Sequence, residues 1–502
     1  MLYWFYEKGR SEIMKSLYQL IHRSLTPEGL LPEDFSLPKP DGNQIHFADG
    51  AMDGITIFHT ANGEADTGLL EQAVCAANRD RMEEAQGLVR EFCETGHMIG
   101  AIDGIQQYII DHQKELAAGK IFRLGEELMF GGTHPEAVKF GLALLELFDL
   151  NGKEPVKAAV RELACSDEFT IFSLFLMRSW DDPDREIFQA AKKARGWGRI
   201  HAVERLNPVD EEMERWLLAE GWDNTVLPAY SALECFQKAR CTRILEGNMT
   251  REQYGFMTGL MAGLLDEGPV RGISACENPE EVLNAFLRQS GRFELTAADY
   301  SVIAQILDYA KEHSLDAAAA VAGELLESQA CRAVMQREME KGESLRLAKR
   351  LGMDYAPYAM AAIERDFHRY YHYVDLLMPG EDYAMELIRL FEERLPLEEM
   401  ACGSADEMGL GEEFENYRIL IYMVQHLKDR PGMGVRLIRT ALNAPVVNNR
   451  NMALTVLEEW GKLRGCPLAE CYPELAGLLR ELRENEVRED VRNRMDALIG
   501  EG

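Results

Sequence analysis

The chain has 502 residues, too many for one conventional core, so two or three domains or one extended repeat array are expected. A hydrophobic fraction of 46% sets disorder aside, and 54 Lys plus Arg against 85 Asp plus Glu leave a formal charge of −31. Such an excess of acid repels phosphate backbones and anionic lipid, which excludes a general nucleic-acid or membrane-surface role.

At the N-terminus, Met1 to Tyr6 is apolar, but Glu7 and Lys8 follow and no small-residue cleavage site comes after. It reads as a segment that docks on the fold rather than a secretory signal. No stretch approaches the ~18–20 apolar residues of a membrane helix. An amphipathic helix is expected over 9–24, followed by an extended connector where Pro27, Pro32, Pro38 and Pro40 forbid regular helix. Ile45-His46-Phe47-Ala48 and Ile55-Thr56-Ile57-Phe58, with the turn pairs Asp49-Gly50 and Asp53-Gly54 between them, predict a small β-hairpin lying against the helices.

From about residue 65 onward the pattern is helical, and the helices alternate in how far their apolar faces wrap around. Val138, Phe140, Leu142, Leu144, Leu145, Leu147 and Phe148 make one segment apolar on nearly all sides, whereas Val156, Ala159, Val160 and Leu163 make the next apolar on one face. Phe169 to Met177 is again apolar all round, and Ile187, Phe188 and Ala191 are again one-sided. Buried helix followed by half-exposed helix is the pattern of stacked helical hairpins. Thr133 to Glu136 and Thr250 to Gln253 have capping-box spacing, and Asp182-Pro183 and Asn278-Pro279 place a side-chain acceptor before a proline.

Segments 134–148 and 166–180 align, and later offsets drift, as in a degenerate repeat. Asn448 to Leu454 resembles a short HEAT-type unit, a polar turn before an apolar inner helix. The expected fold is all-α, a HEAT/armadillo-like α-solenoid of helical hairpins with a small N-terminal β-hairpin. Gly-punctuated breaks near 268 and 403 give the expected division: 1–64 as helix, Pro-rich connector and hairpin, 65–268 as a helical-repeat domain, 269–403 as a central helical segment and 404–502 as C-terminal repeats. The ten cysteines, Cys466 and Cys471 among them, form no C-x-x-C and read as reduced core thiols of a cytoplasmic protein.

P-loop, nucleophile-elbow and H-E-x-x-H patterns are absent from the sequence. Gly196-Trp197-Gly198 begins a dinucleotide-like pattern, but His201 stands where the third glycine would be, so a helix-entry turn is the better reading and no cofactor is assigned. The richest surface is 195–236, where Trp197, His201, Glu204, Arg205, Trp216, Trp222, Tyr230 and Cys235 fall within about three helices. His201 and Glu204 are i,i+3 neighbours, so the carboxylate can orient the imidazole, and aromatics beside such a pair suit a small-molecule pocket or a peptide groove. The same residues also suit plain packing, with Trp rings filling gaps between helices.

Glu364, His368 and His372 share i, i+4, i+8 spacing, the beginning of a divalent metal site. On one straight helix they would span ~12 Å, too far for a single ion, and Tyr370, Tyr371 and Tyr373 favour an ordinary polar-aromatic face. No metal is assigned.

Two runs, Phe47-Ala48-Asp49-Gly50-Ala51-Met52-Asp53-Gly54 and Gly196 to Leu206, resemble a family of bacterial helical-repeat proteins, some of which carry the name limonene hydroxylase. The resemblance spans most of the chain and implies, through that name, oxygen insertion into a monoterpene with a nicotinamide or flavin cofactor. The residues supply no haem-thiolate loop, complete dinucleotide fingerprint or non-haem iron triad for it. The leading expectation is therefore a cytoplasmic scaffold that binds a protein or peptide, basic in character, without catalysis. An enzyme or small-ligand binder built on 195–236 is the alternative.

Overall fold

In the computed structural model, residues 16–38, 47–60, 65–380 and 382–500 are described, and every regular element among them is a helix. The only strand-like pairing among them is an isolated parallel bridge between Glu407 and Val446. None of the described helices is long and apolar enough to cross a membrane. The chain divides into two compact units, Met1–Gly323 and Glu324–Gly502.

The first unit opens with α1 (Leu17–Ser24), α2 (Ala51–His59), α3 (Gly68–Asn78), α4 (Met82–Phe92), α5 (Met98–Asp111) and α6 (Ala118–Gly131). It continues with α7 (Pro135–Leu145), α8 (Glu154–Leu163), α9 (Asp167–Met177), α10 (Pro183–Lys193) and α11 (Trp197–Arg205). After α12 (Glu211–Trp216) come a π-helical turn, α13 (Ala229–Lys238), α14 (Cys241–Glu246), α15 (Arg251–Leu265), α16 (Pro279–Ser290) and α17 (Ala297–Glu312).

The alternating apolar wrap places these helices. In α7 every residue from Glu136 to Leu145 is buried, while α8 buries only the stripe of Val156, Lys157, Ala159, Val160 and Leu163. α9 is again buried nearly throughout, and α10 buries Ile187, Phe188, Ala190 and Ala191. Accordingly α5 packs on α7, α7 on α9, α9 on α11, α11 on α13, α13 on α15 and α15 on α17, with α8 beside α9 and α10 beside α11. Each large apolar side chain taken into this row contributes roughly 1.5–3 kcal/mol.

Several local expectations hold. Thr250 and Gln253 form the capping box of α15, and Asn278 accepts from the Glu281 N–H at the start of α16. At α7 the cap is His134, whose Nδ1 accepts from the Glu136 N–H, rather than Thr133, because Glu136 is drawn into an ion pair instead of folding back.

The hairpin requires correction. Ile55 to Phe58, its second strand, is helix within α2, while Ile45 and His46 lie outside the described residues. β-branched propensity favours strand there, but burial of Asp53 and Gly54 against α7 and α11 outweighs it. The Asp49-Gly50 pair serves as the turn entering α2, with Gly50 at φ 73°.

In the second unit one core gathers Phe367, Phe391, Leu420, Leu454 and Trp460 among others. The straight helix expected to carry Glu364, His368 and His372 ends at Arg365; Asp366 then caps a new short helix, Phe367–Tyr370, and a 3-10 turn follows. The stretch 403–411 is tied to its own unit: Gly403 N–H donates to Asn443 O at 3.0 Å and Val447 N–H to Glu407 O at 3.0 Å. Arg450, fully buried, donates to the carbonyls of Ala444, Pro445 and Ala405 and pairs with buried Glu486. Cys466 and Cys471 depart from the expectation of ten reduced thiols. Their Cα atoms stand 6.2 Å apart across a tight turn and they are joined as a disulfide, while the other eight are free.

Candidate functional site

The two runs singled out in the sequence meet in space. α2 lies on α11, and Ala51, Trp197 and Ile200 form one apolar cluster with Ile55, Phe58 and Tyr230 packed around it. Gly54 makes this possible, because a Cβ there would stand 2.1 Å from Cε3 of the Trp197 indole.

The first turn of α9 orders both runs. Asp167 accepts from Gly196 N–H at 2.9 Å and Gly198 N–H at 3.1 Å, which caps the start of α11. A Cβ at Gly196 would stand 2.5 Å from Asp167 Oδ2, so the glycines of Gly-Trp-Gly admit a carboxylate, not a dinucleotide. Burial raises the Asp167 pKa above the usual carboxylate range, against these backbone donors. Its neighbour Glu168 accepts from Gly50 N–H at 2.7 Å through one oxygen and meets Lys139 at 2.6 Å through the other.

Lys139 is the centre of a buried ionic group. Its ammonium lies 2.8 Å from Asp53 of α2, 2.9 Å from Glu136 of α7 and 2.6 Å from Glu168 of α9. Lys139 and Asp53 are each 1% exposed. Glu136 also accepts from Met98 N–H, which ties the start of α5 to the group. Burial pushes the Asp53 carboxyl up to about 6, with Glu136 and Glu168 adding to the rise and Lys139 opposing it. Burial works against the charge on Lys139, but the three carboxylates prevail and hold its pKa well above the ordinary lysine value. Sequence reading missed this group, though one signal was present: Glu136 and Lys139 stand i,i+3 in a helix otherwise apolar on all sides, and buried charges demand partners.

His201 is 1% exposed beneath Phe58, whose ring stacks on it at 6.0 Å and 19°. Its Nδ1 stands 3.8 Å from Glu204 Oε2, beyond hydrogen-bond distance, and Nε2 has no hydrogen-bond partner among the described residues. Burial lowers the His201 pKa and disfavours the charged ring. Arg205 meets Glu204 at 2.6 Å, and its charge and hydrogen bond lower the Glu204 pKa. Arg205 also lies over the Phe175 ring at 5.4 Å.

Trp197 and Tyr230 meet at 4.9 Å, and the Tyr230 hydroxyl is hydrogen-bonded to His59 Nε2 at 2.7 Å. Trp197, His201, Glu204, Arg205 and Tyr230 therefore come together, joined by Phe58 and His59, which the sequence did not mark. Trp216 packs edge-on against Phe188 at 5.5 Å, and Trp222 lies over Gly259 with its Nε1 donating to Leu218 O. Cys235 is buried beside Gly221. These three belong to neighbouring contacts, not to the His201 cluster.

The second set is dispersed by the break at Asp366. Glu364 and His368 are exposed, His368 faces Glu415 at 3.2 Å, and His372 packs on Tyr373 at 4.4 Å. Among the described residues no three His, Cys, Asp or Glu side chains converge as metal ligands.

Several cavities open elsewhere in the first unit. One of about 720 Å³ lies between α13, α14 and α16, with Phe236, Arg240, Leu245, Val282 and Arg288 in its walls. Another of about 620 Å³ lies beside the Asp167 turn, and neither is lined by Trp197, His201 or Tyr230. The aromatic cluster, with its imidazole sealed, thus acts as a joint between α2, α11 and α13. Compared with protein-family models, curated proteins and solved structures, the chain matches none.

Proposed function

We propose that the chain is a HEAT/armadillo-like solenoid acting in the cytoplasm as a scaffold, and that it binds a basic protein or peptide without catalysis. The observation that carries this reading is the unbroken row from α5 through α7, α9, α11, α13 and α15 to α17, each helix packed on the next. Rows of this kind stack repeat on repeat and leave one extended face for a partner. An excess of 31 negative charges selects for a basic partner and steers its approach. In this reading the runs 47–54 and 196–206 serve folding rather than oxygen insertion, since His201 lies under Phe58 and out of reach of any substrate.

Affinity capture on the immobilised full chain, at ~0.05 M and ~1 M salt, tests the proposal, since the Debye length falls to about 3 Å at the higher value. A basic partner captured at low salt and released at high salt is the expected result. Capture that is indifferent to salt, or confined to acidic proteins, contradicts it.

A further inference from the structure

The cavity of about 620 Å³ beside the Asp167 turn is walled by Leu31, Pro32 and Phe35 on one side and by Lys193, Arg195 and Thr225 on the other. Lys193, the last residue of α10, also borders an adjoining cavity of about 330 Å³. Its ammonium is half-buried against Gly29, where a Cβ would come within 3.0 Å of it. No carboxylate or carbonyl among the described residues accepts a hydrogen bond from it, in a chain with 31 surplus negative charges. Such an ammonium is open to an anion, which accepts charge-assisted hydrogen bonds from it.

Arg195 adds capacity. Its guanidinium has five donors and, among the described residues, gives one hydrogen bond, from Nη2 to Leu31 O at 3.2 Å. The acids on the same wall are engaged or peripheral. Asp167 takes the N–H groups of Gly196 and Gly198, Asp49 Oδ2 takes Leu37 N–H at 3.1 Å, and Glu33 is exposed. We propose that this cavity binds a small organic oxyanion, a carboxylate or phosphate monoester, held between Lys193 and Arg195 with its apolar body against Leu31, Pro32 and Phe35. The site is independent of the partner-binding reading above.

Calorimetric titration of the full chain with phenyl phosphate, benzoate and inorganic phosphate tests the proposal and separates the two anion chemistries. Saturable binding of at least one organic anion is expected, weakened about tenfold or more by Lys193→Met and unchanged by Lys428→Met, a lysine of the second unit outside the cavity's lining. The thermal midpoint of Lys193→Met, measured alongside, separates loss of the site from loss of fold. On the unaltered protein, the same anion is expected to slow acetylation of Lys193. No saturable heat up to ~10 mM of either organic anion overturns the proposal, as does undiminished affinity in folded Lys193→Met. Inorganic phosphate binding as tightly as both organic anions overturns the assignment of the apolar wall.

Discussion

Gly54 of α2 lies flat against the indole of Trp197 on α11, so closely that no Cβ fits between them. Two runs far apart in sequence are thereby fitted to each other. Gly54→Ala is expected to destabilise the chain by about 2–3 kcal/mol through overpacking. Much of that loss should return when Trp197→Leu opens the space. Denaturant melts of the two single variants and the double variant measure the coupling, and simple additivity would show that the two residues do not share a contact.

Lys139 neutralises part of a three-carboxylate group drawn from α2, α7 and α9. Lys139→Met leaves those carboxylates buried together and should cost about 3–5 kcal/mol in urea unfolding. Adding Asp53→Asn to that variant removes one of the uncompensated charges and should recover part of the loss. A Lys139→Met protein as stable as the parent would mean that the group is not closed around the ammonium.

The same group sets a pH dependence. The Asp53 carboxyl titrates near 3.8 when free and is raised to about 6 in the fold, so between these values the folded state holds a proton that the unfolded state has released. That contribution is complete below ~3.8 and is lost as pH rises through about 6, giving a falling stability across the window. Stability measured at steps from pH 4 to 7 should fall less steeply in Asp53→Asn than in the parent chain, and parallel curves would refute the assignment.

Among the described residues His201 Nε2 has no hydrogen-bond partner, and burial disfavours the charged ring. Its worth lies in the contacts with Phe58 and Trp197. His201→Ala should therefore cost about 2 kcal/mol by leaving a cavity, while His201→Met, which refills the space, should cost less than about 1 kcal/mol. Thermal melts distinguish this from a hydrogen-bonded couple with Glu204, in which the methionine variant would lose as much as the alanine one.

The parts of the fold legible in sequence were those decided locally. All-round apolarity in Phe169 to Met177 announced a buried helix, and Thr250 with Gln253 announced a helix start. What local pattern could not supply was the tertiary partner. Ile55 to Phe58 carries strand propensity, yet Lys139 and Trp197, contributed by other helices, hold the segment as helix. The spacing of Glu364, His368 and His372 assumed one continuous helix, and Asp366 breaks it. Within the 195–236 surface, the grouping of Trp197, His201 and Tyr230 was readable, but its cover, Phe58 and His59, came from a segment expected to be strand.

The runs 47–54 and 196–206 form a joint that fixes α2 to α9 and α11. Native-state hydrogen exchange of Trp197→Ala probes this joint. Amides of Ala51–His59 and Trp197–Arg205 should lose protection together, while those of Arg251–Leu265 keep the parent's rates. Loss of protection in Trp197–Arg205 alone, with Ala51–His59 unchanged, would contradict it.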